Sequence, residues 1–281
     1  MTSRCISIVL SVSLVAFPGF ADAQDHQTDD ISKLLFETYI ARPGKIESDS
    51  IRAATHLITV RGRNSSFWKE VLAELKKNNK HSEIGCVRIL GKMLAIDASA
   101  RDSIRRQKET GELEQWMATV RLGPEVVTEL IDRGKQADRL RIDHYVIALT
   151  RARVPEAKDF FVGILRAKQA DDPSDDVAFP EGPYYRTTAR FHAAVGLAQL
   201  GEPLGVDWLI ANCENPNGSV FHAWPRGAAT TSLDRCCTVA LQQLSGKREL
   251  ASKADWEAWS KTVGKSDLTS HAVDLVEQSC W

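Results

Sequence analysis

Apolar positions recur at intervals of three and four residues along most of the chain, the period of helices with one face turned to a core. Trp68, Leu72 and Leu75 form one such stripe, and Ile142, Tyr145, Val146 and Leu149 form another at i, i+3, i+4 and i+7. Phe161, Ile164 and Leu165 continue the series, followed by Val206, Leu209, Ile210 and Cys213, then Leu268, Ala272, Leu275 and Val276. The punctuation agrees with helices. Pro124, Pro155 and Pro203 stand where a first helical turn accepts proline, and Gly91, Gly201 and Gly246 follow leucine-rich segments as C-terminal caps. Convincing strand alternation is absent. The one β-rich piece, His56-Leu-Ile-Thr-Val60, has no second strand to pair with, so an all-α chain is predicted.

Internal repetition refines that prediction. Gly196-Leu-Ala-Gln-Leu200 recurs as Ala240-Leu-Gln-Gln-Leu244 with a shift of 44 residues, the period of stacked helix pairs. The segment from Arg190 to Ile210, with its Arg, paired Ala, Leu-x-x-Leu-Gly and Val-x-x-Leu-Ile, resembles a HEAT-like repeat, and weaker echoes lie at Val87 to Leu94 and Tyr145 to Leu165. Trp256-Glu-Ala-Trp259 is similar to the Trp-rich ending of exported bacterial HEAT-repeat proteins. The resemblance implies an all-α, α-α superhelix that binds other macromolecules, or in a related branch a bilin-lyase-like protein. It carries no catalytic residue with it.

The first residues change where the chain is expected to act. Arg4, an apolar run from Cys5 to Phe20 and the triplet Ala21-Asp22-Ala23 have the order of a secretory signal peptide. Residues 1–23 are read as that signal and 24–281 as a single HEAT-like solenoid domain, exported to the periplasm or beyond. A membrane anchor is disfavoured because the run falls short of the roughly 20 apolar residues a span needs and ends in Pro18 and Gly19. No later run reaches that length, so no span is expected in the mature chain. A formal net charge of −1 lacks the basic excess of a polyanion binder and argues against nucleic acid as a partner.

Export also colours the cysteines. Cys5 leaves with the signal, while Cys213, Cys236, Cys237 and Cys280 are candidate disulfide partners in an oxidising compartment; ordinary buried thiols are the alternative. Cys86, among Ile84, Val87 and Leu90, is left unpaired. A zinc site from Cys213, His222, Cys236 and Cys237 has the right ligand types but matches no closed finger, and Asp171-Asp-Pro-Ser-Asp-Asp176 lacks the order of a calcium loop. No metal and no cofactor is therefore assigned. His-Glu-x-x-His, Gly-x-Ser-x-Gly, phosphate-cradling Gly loops and Cys-x-x-Cys-His are all missing from the sequence.

Two segments remain as candidate function. Phe179-Pro-Glu-Gly-Pro183 and Phe221-His-Ala-Trp-Pro225 correspond at a shift of 42 residues, and equivalent loops of neighbouring repeats emerge on one edge, about 8–10 Å apart. Phe179, Tyr184, Tyr185, Phe221, His222, Trp224 and Arg226 would then form an aromatic rim fitted to a protein or peptide partner. Alternatively these aromatics fold inward and cap helix ends. Trp256 and Trp259 share a helix face and read as the closing cap of the stack. The favoured function is an extracytoplasmic scaffold, with a second reading beside it: a ligand carrier or lyase-like enzyme would use His222, Arg226, Asp234 and a thiol of Cys236 or Cys237 in a cleft beside the loops.

Overall fold

The computed structural model describes residues 67–77, 80–107, 122–167, 182–224 and 227–262. The signal segment, His56 to Val60, the acidic run 171–176 and the stripe from Leu268 to Val276 lie outside them. The described residues are mostly helical: α1 (Phe67–Lys76), α2 (Lys80–Gln107), α3 (Pro124–Gln136), α4 (Arg139–Ala152), α5 (Lys158–Arg166), α6 (Gly182–Gln199), α7 (Pro203–Asn212), α8 (Leu233–Ser245) and α9 (Lys253–Ser260).

The helix starts follow from local chemistry. Proline occupies the first turn of α3 and α7, where its missing N–H has no helical partner to lose, and Pro155 opens a 3-10 turn ahead of α5. Asp138 starts α4 by accepting the Arg141 N–H at 3.0 Å, and Ser252 with Asp255 forms a reciprocal capping box on α9. Helices α6 and α8 stop at Gly201 (φ 75°) and Gly246 (φ 69°), left-handed positions that suit a residue without Cβ. Arg153, just after α4, takes the same region at φ 48° despite its side chain.

Helices α2, α4, α6 and α8 form a packed row, α2 on α4, α4 on α6 and α6 on α8, while α1, α3, α5 and α7 each pack on the following member of that row and α7 also meets α6 and α9. One apolar core runs through them from Phe67 to Trp256. The predicted stripes are largely core: Trp68, Leu72, Leu75, Tyr145, Val146, Leu149, Phe161, Leu165, Val206, Leu209, Ile210 and Cys213 are all buried.

Two expectations need correction. Gly91 does not end a helix; it sits inside α2, where a Cβ would come within 2.7 Å of the Ala148 Cβ on α4, so its role is close helix approach. And the chain does contain strands. Ser219–Trp224 (β1) and Gly227–Ser232 (β2) form an antiparallel hairpin in which Ser219 pairs with Ser232 and Trp224 with Gly227. The hairpin is inserted between α7 and α8, and β1 packs on α6.

Candidate functional site

The hairpin alters the geometry of the proposed rim. Tyr184 and Tyr185 lie in the first turns of α6, and Phe221, His222 and Trp224 lie on β1, opposite Thr230, Ala229 and Gly227. Residues 221–224 are thus a strand of a hairpin and not a loop, and Gly182 and Pro183 already belong to α6. The structure still joins the two elements, because β1 packs on α6. Val220, fully buried, anchors β1, and Leu233 N–H donates to the Gly218 carbonyl at 2.8 Å to tie the hairpin base to α8. Phe179 and Arg226 lie outside the described residues.

The thiol chemistry considered for this region meets an obstacle. Cys236 and Cys237 stand on α8, both buried, and burial pushes the Cys237 thiol far above its ordinary value, with the Cys236 and Cys213 thiols adding to it. A thiolate is the nucleophilic form, so this environment opposes nucleophilic work by Cys237. No disulfide joins any two of Cys86, Cys213, Cys236 and Cys237, and Cys280 lies outside the described residues. Asp234 is committed to the start of α8: the Ser232 hydroxyl and the Arg235 N–H, the latter at 2.7 Å, hold its carboxyl below the usual range. Among the described residues no group of three or more His, Cys, Asp or Glu is arranged to hold a metal ion, and no helix is long and apolar enough to cross a membrane.

A second place, which the sequence did not single out, is a polar cleft of about 410 Å³ between α2, α3 and α4. Glu83, Glu129, Asp132, Arg133, Gln136, Ala137 and Arg141 line it. At its floor the buried Glu83 is held at both oxygens: Arg141 Nη1 donates to one at 2.5 Å and the Tyr145 hydroxyl to the other at 2.6 Å. Arg141 also donates from Nε to Asp138 at 2.8 Å. The hydrogen bond to Asp138, then that to Glu83, keeps the guanidinium charged beyond its already high ordinary value. Burial and the hydrogen bond to Glu83 push the Tyr145 hydroxyl up, so it stays a donor. On α3, Arg133 Nε donates to Glu129 at 2.5 Å. Nearby, Glu74 of α1 accepts from the Ser82 hydroxyl of α2 at 3.1 Å and from Lys77 at 2.7 Å. These bonds tie α1 to α2 and α2 to α4 through charge.

Further polar groups are sealed along α4. The half-buried His144 faces Arg88 of α2 at 3.5 Å, and burial, then the Arg88 charge, lowers its pKa to about 3. Thr150 donates to the His192 carbonyl of α6 at 2.9 Å. Asp143 is 3 % exposed, and neither of its oxygens has a hydrogen-bond partner. Burial pushes its carboxyl well above the usual range.

A signal for these groups was present in the sequence. Glu83 falls on the same helical stripe as Cys86, Val87 and Leu90, and Asp143 on that of Val146 and Thr150, so each is a carboxylate written into a buried face. Compared with known protein families, with curated proteins and with solved structures, the chain matches none.

Proposed function

We propose that the protein is an exported helical-repeat scaffold of HEAT-like architecture, which presents a protein- or peptide-binding surface where β1 crosses α6. One regularity supports the repeat reading. Helices α4, α6 and α8, neighbours in one row, end at left-handed residues 153, 201 and 246, spaced 48 and 45 residues apart. The first two ends share a sequence form, Arg153-Val-Pro155 and Gly201-Glu-Pro203, each proline opening the next element. Helix pairs of this kind offer extended surfaces in place of closed pockets, which favours a binding role over catalysis.

The binding edge is assigned to Tyr184 and Tyr185 at the start of α6 and to Phe221, His222 and Trp224 on β1, with Phe179 and Arg226 as its sequence neighbours. A hairpin inserted between repeats and packed on the row is a local addition to a helical stack, and aromatic residues with Arg are the types that anchor interfaces. The test is affinity capture from the envelope fraction with the exported protein as bait. Tyr184→Ala with Trp224→Ala is expected to lose a partner that the parent retains while the melting temperature holds. Loss of stability with the partner retained would overturn the assignment. Export is checked by sequencing the secreted chain, whose first residue is expected to be Gln24.

A further inference from the structure

We propose that the cleft between α2, α3 and α4 binds an organic cation bearing N–H donors: a guanidinium or primary ammonium group, either of a small molecule or of an arginine or lysine side chain. The cleft stands apart from the aromatic edge, and the proposal does not depend on the scaffold reading.

The lining decides the class of ligand. Its volume of about 410 Å³ falls in the range of small-molecule sites, yet Ala137 is its one apolar residue, so an apolar ligand would gain little there. The choice is between an anion and a cation. An anion would need a guanidinium, and both are already engaged at short range: Arg141 by Glu83 and Asp138, Arg133 by Glu129. Taking Arg141 for a ligand leaves the buried Glu83 without its partner, and an anion at the Nη groups of Arg133, whose Nε holds Glu129, would sit beside the Glu129 and Asp132 carboxylates.

The acceptors are in the opposite condition. Glu129 has only Oε1 in an ion pair, and Asp132 makes no hydrogen bond or ion pair among the described residues. Gln136 likewise offers its amide oxygen. Residues 129, 132 and 136 succeed one another at three- and four-residue steps, so they lie along one face of α3 facing the cleft. Four carboxylates, Glu83, Glu129, Asp132 and Asp138, meet two guanidiniums, Arg133 and Arg141, in and beside the cleft. A cation with several N–H groups fills this acceptor surplus, donating to Asp132 and to the second oxygen of Glu129 without disturbing the floor. Because Asp132 and Gln136 are exposed at the rim, the binding is solvent-screened, with a Kd in about the millimolar range that weakens as salt rises.

The experiment titrates the whole chain, labelled with 15N, with Nα-acetyl-arginine amide and Nα-acetyl-lysine amide, following amide shifts on α3. Saturable shifts are expected, and Asp132→Asn should raise Kd about tenfold. Glu129→Gln is the second variant; unchanged circular dichroism in either keeps the comparison interpretable. Tetramethylammonium, a cation without donors, should not compete. A short arginine-containing peptide separates the sources: much tighter binding than the amide assigns a partner's side chain, and equal binding a free small molecule. The proposal is overturned if neither amide shifts α3, if Asp132→Asn leaves Kd unchanged, or if Nα-acetyl-glutamate amide binds in their place. Tyr184→Ala with Trp224→Ala should leave the cation shifts intact, so failure at the aromatic edge is distinguishable from failure here.

Discussion

Helices α1 to α4 and helices α5 to α9 share one apolar core but are joined by different chemistry. In the first group the bonds between helices include buried charge: Glu74 with Ser82, and Glu83 with both Arg141 and Tyr145. In the second, α6 is buried at every position from Phe191 to Gln199, and Leu209, Leu241, Leu244 and Trp256 fill the space around it. Its ion pair between Lys158 and Glu202, at 2.8 Å, stays at the surface, and the half-buried Arg190 of α6 meets α5 through the Leu165 carbonyl, at 2.8 Å. Both halves therefore share the apolar core, and the first adds buried ionic bonds between its helices. The two halves should then fail differently, the second to cavities and the first to loss of a partner.

The largest effect is expected in the second half. Phe161, fully buried between α5 and α6 and close against Gly196, should cost about 3–5 kcal/mol when replaced by Ala, seen in chemical denaturation. A loss below about 1 kcal/mol would mean that volume is not what holds this half.

Tyr145→Phe tests the first half with almost no change in volume. It leaves one oxygen of the buried Glu83 without its donor, for an expected loss of about 1–3 kcal/mol. A double-mutant cycle with Glu83→Gln should show strong coupling, and additive losses would remove the polar bond from the account of this half.

These two residues also mark what the sequence could and could not disclose. Phe161 and Tyr145 were both legible as core, because their periodic stripes persist whatever the partner helix is. Gly201 and Gly246 were legible as helix ends for the same local reason. The pairing of Glu83 with Arg141 and Tyr145 was not, since it spans 58 and 62 residues and exists only once α2 lies on α4. Gly91 was misread as a cap because its reason for being glycine is Ala148, on another helix. The hairpin escaped notice because β2, Gly-Ala-Ala-Thr-Thr-Ser, has little apolar alternation to declare a strand, and proline in the connection read as a loop.

Smaller effects come from the titrating groups on α4, where the row passes from one half to the other. Asp143 keeps its proton in the folded chain at pH values where the unfolded chain has lost it. Its contribution is therefore full below its ordinary value of 3.8 and is lost as pH rises through the raised value. Asp143→Asn does not titrate, so its stability relative to the parent should increase with pH; a decrease would contradict the buried, unpartnered carboxyl. His144 has the opposite sign. With its pKa lowered to about 3, its contribution is present above the ordinary 6.5 and is lost as pH falls between those values. His144→Gln should gain on the parent over that window in urea titrations, and a flat difference would place His144 in water.

Hydrogen exchange of the parent and of Tyr145→Phe, which removes a donor from the buried Glu83 with almost no change in volume, sets the two halves against each other in one molecule. The expected result is that amides of α2 and α4 lose protection relative to those of α6, α7 and α8. Parallel changes in both groups, or a selective loss on α6 to α8, would contradict buried polar bonds as what sets the first half apart.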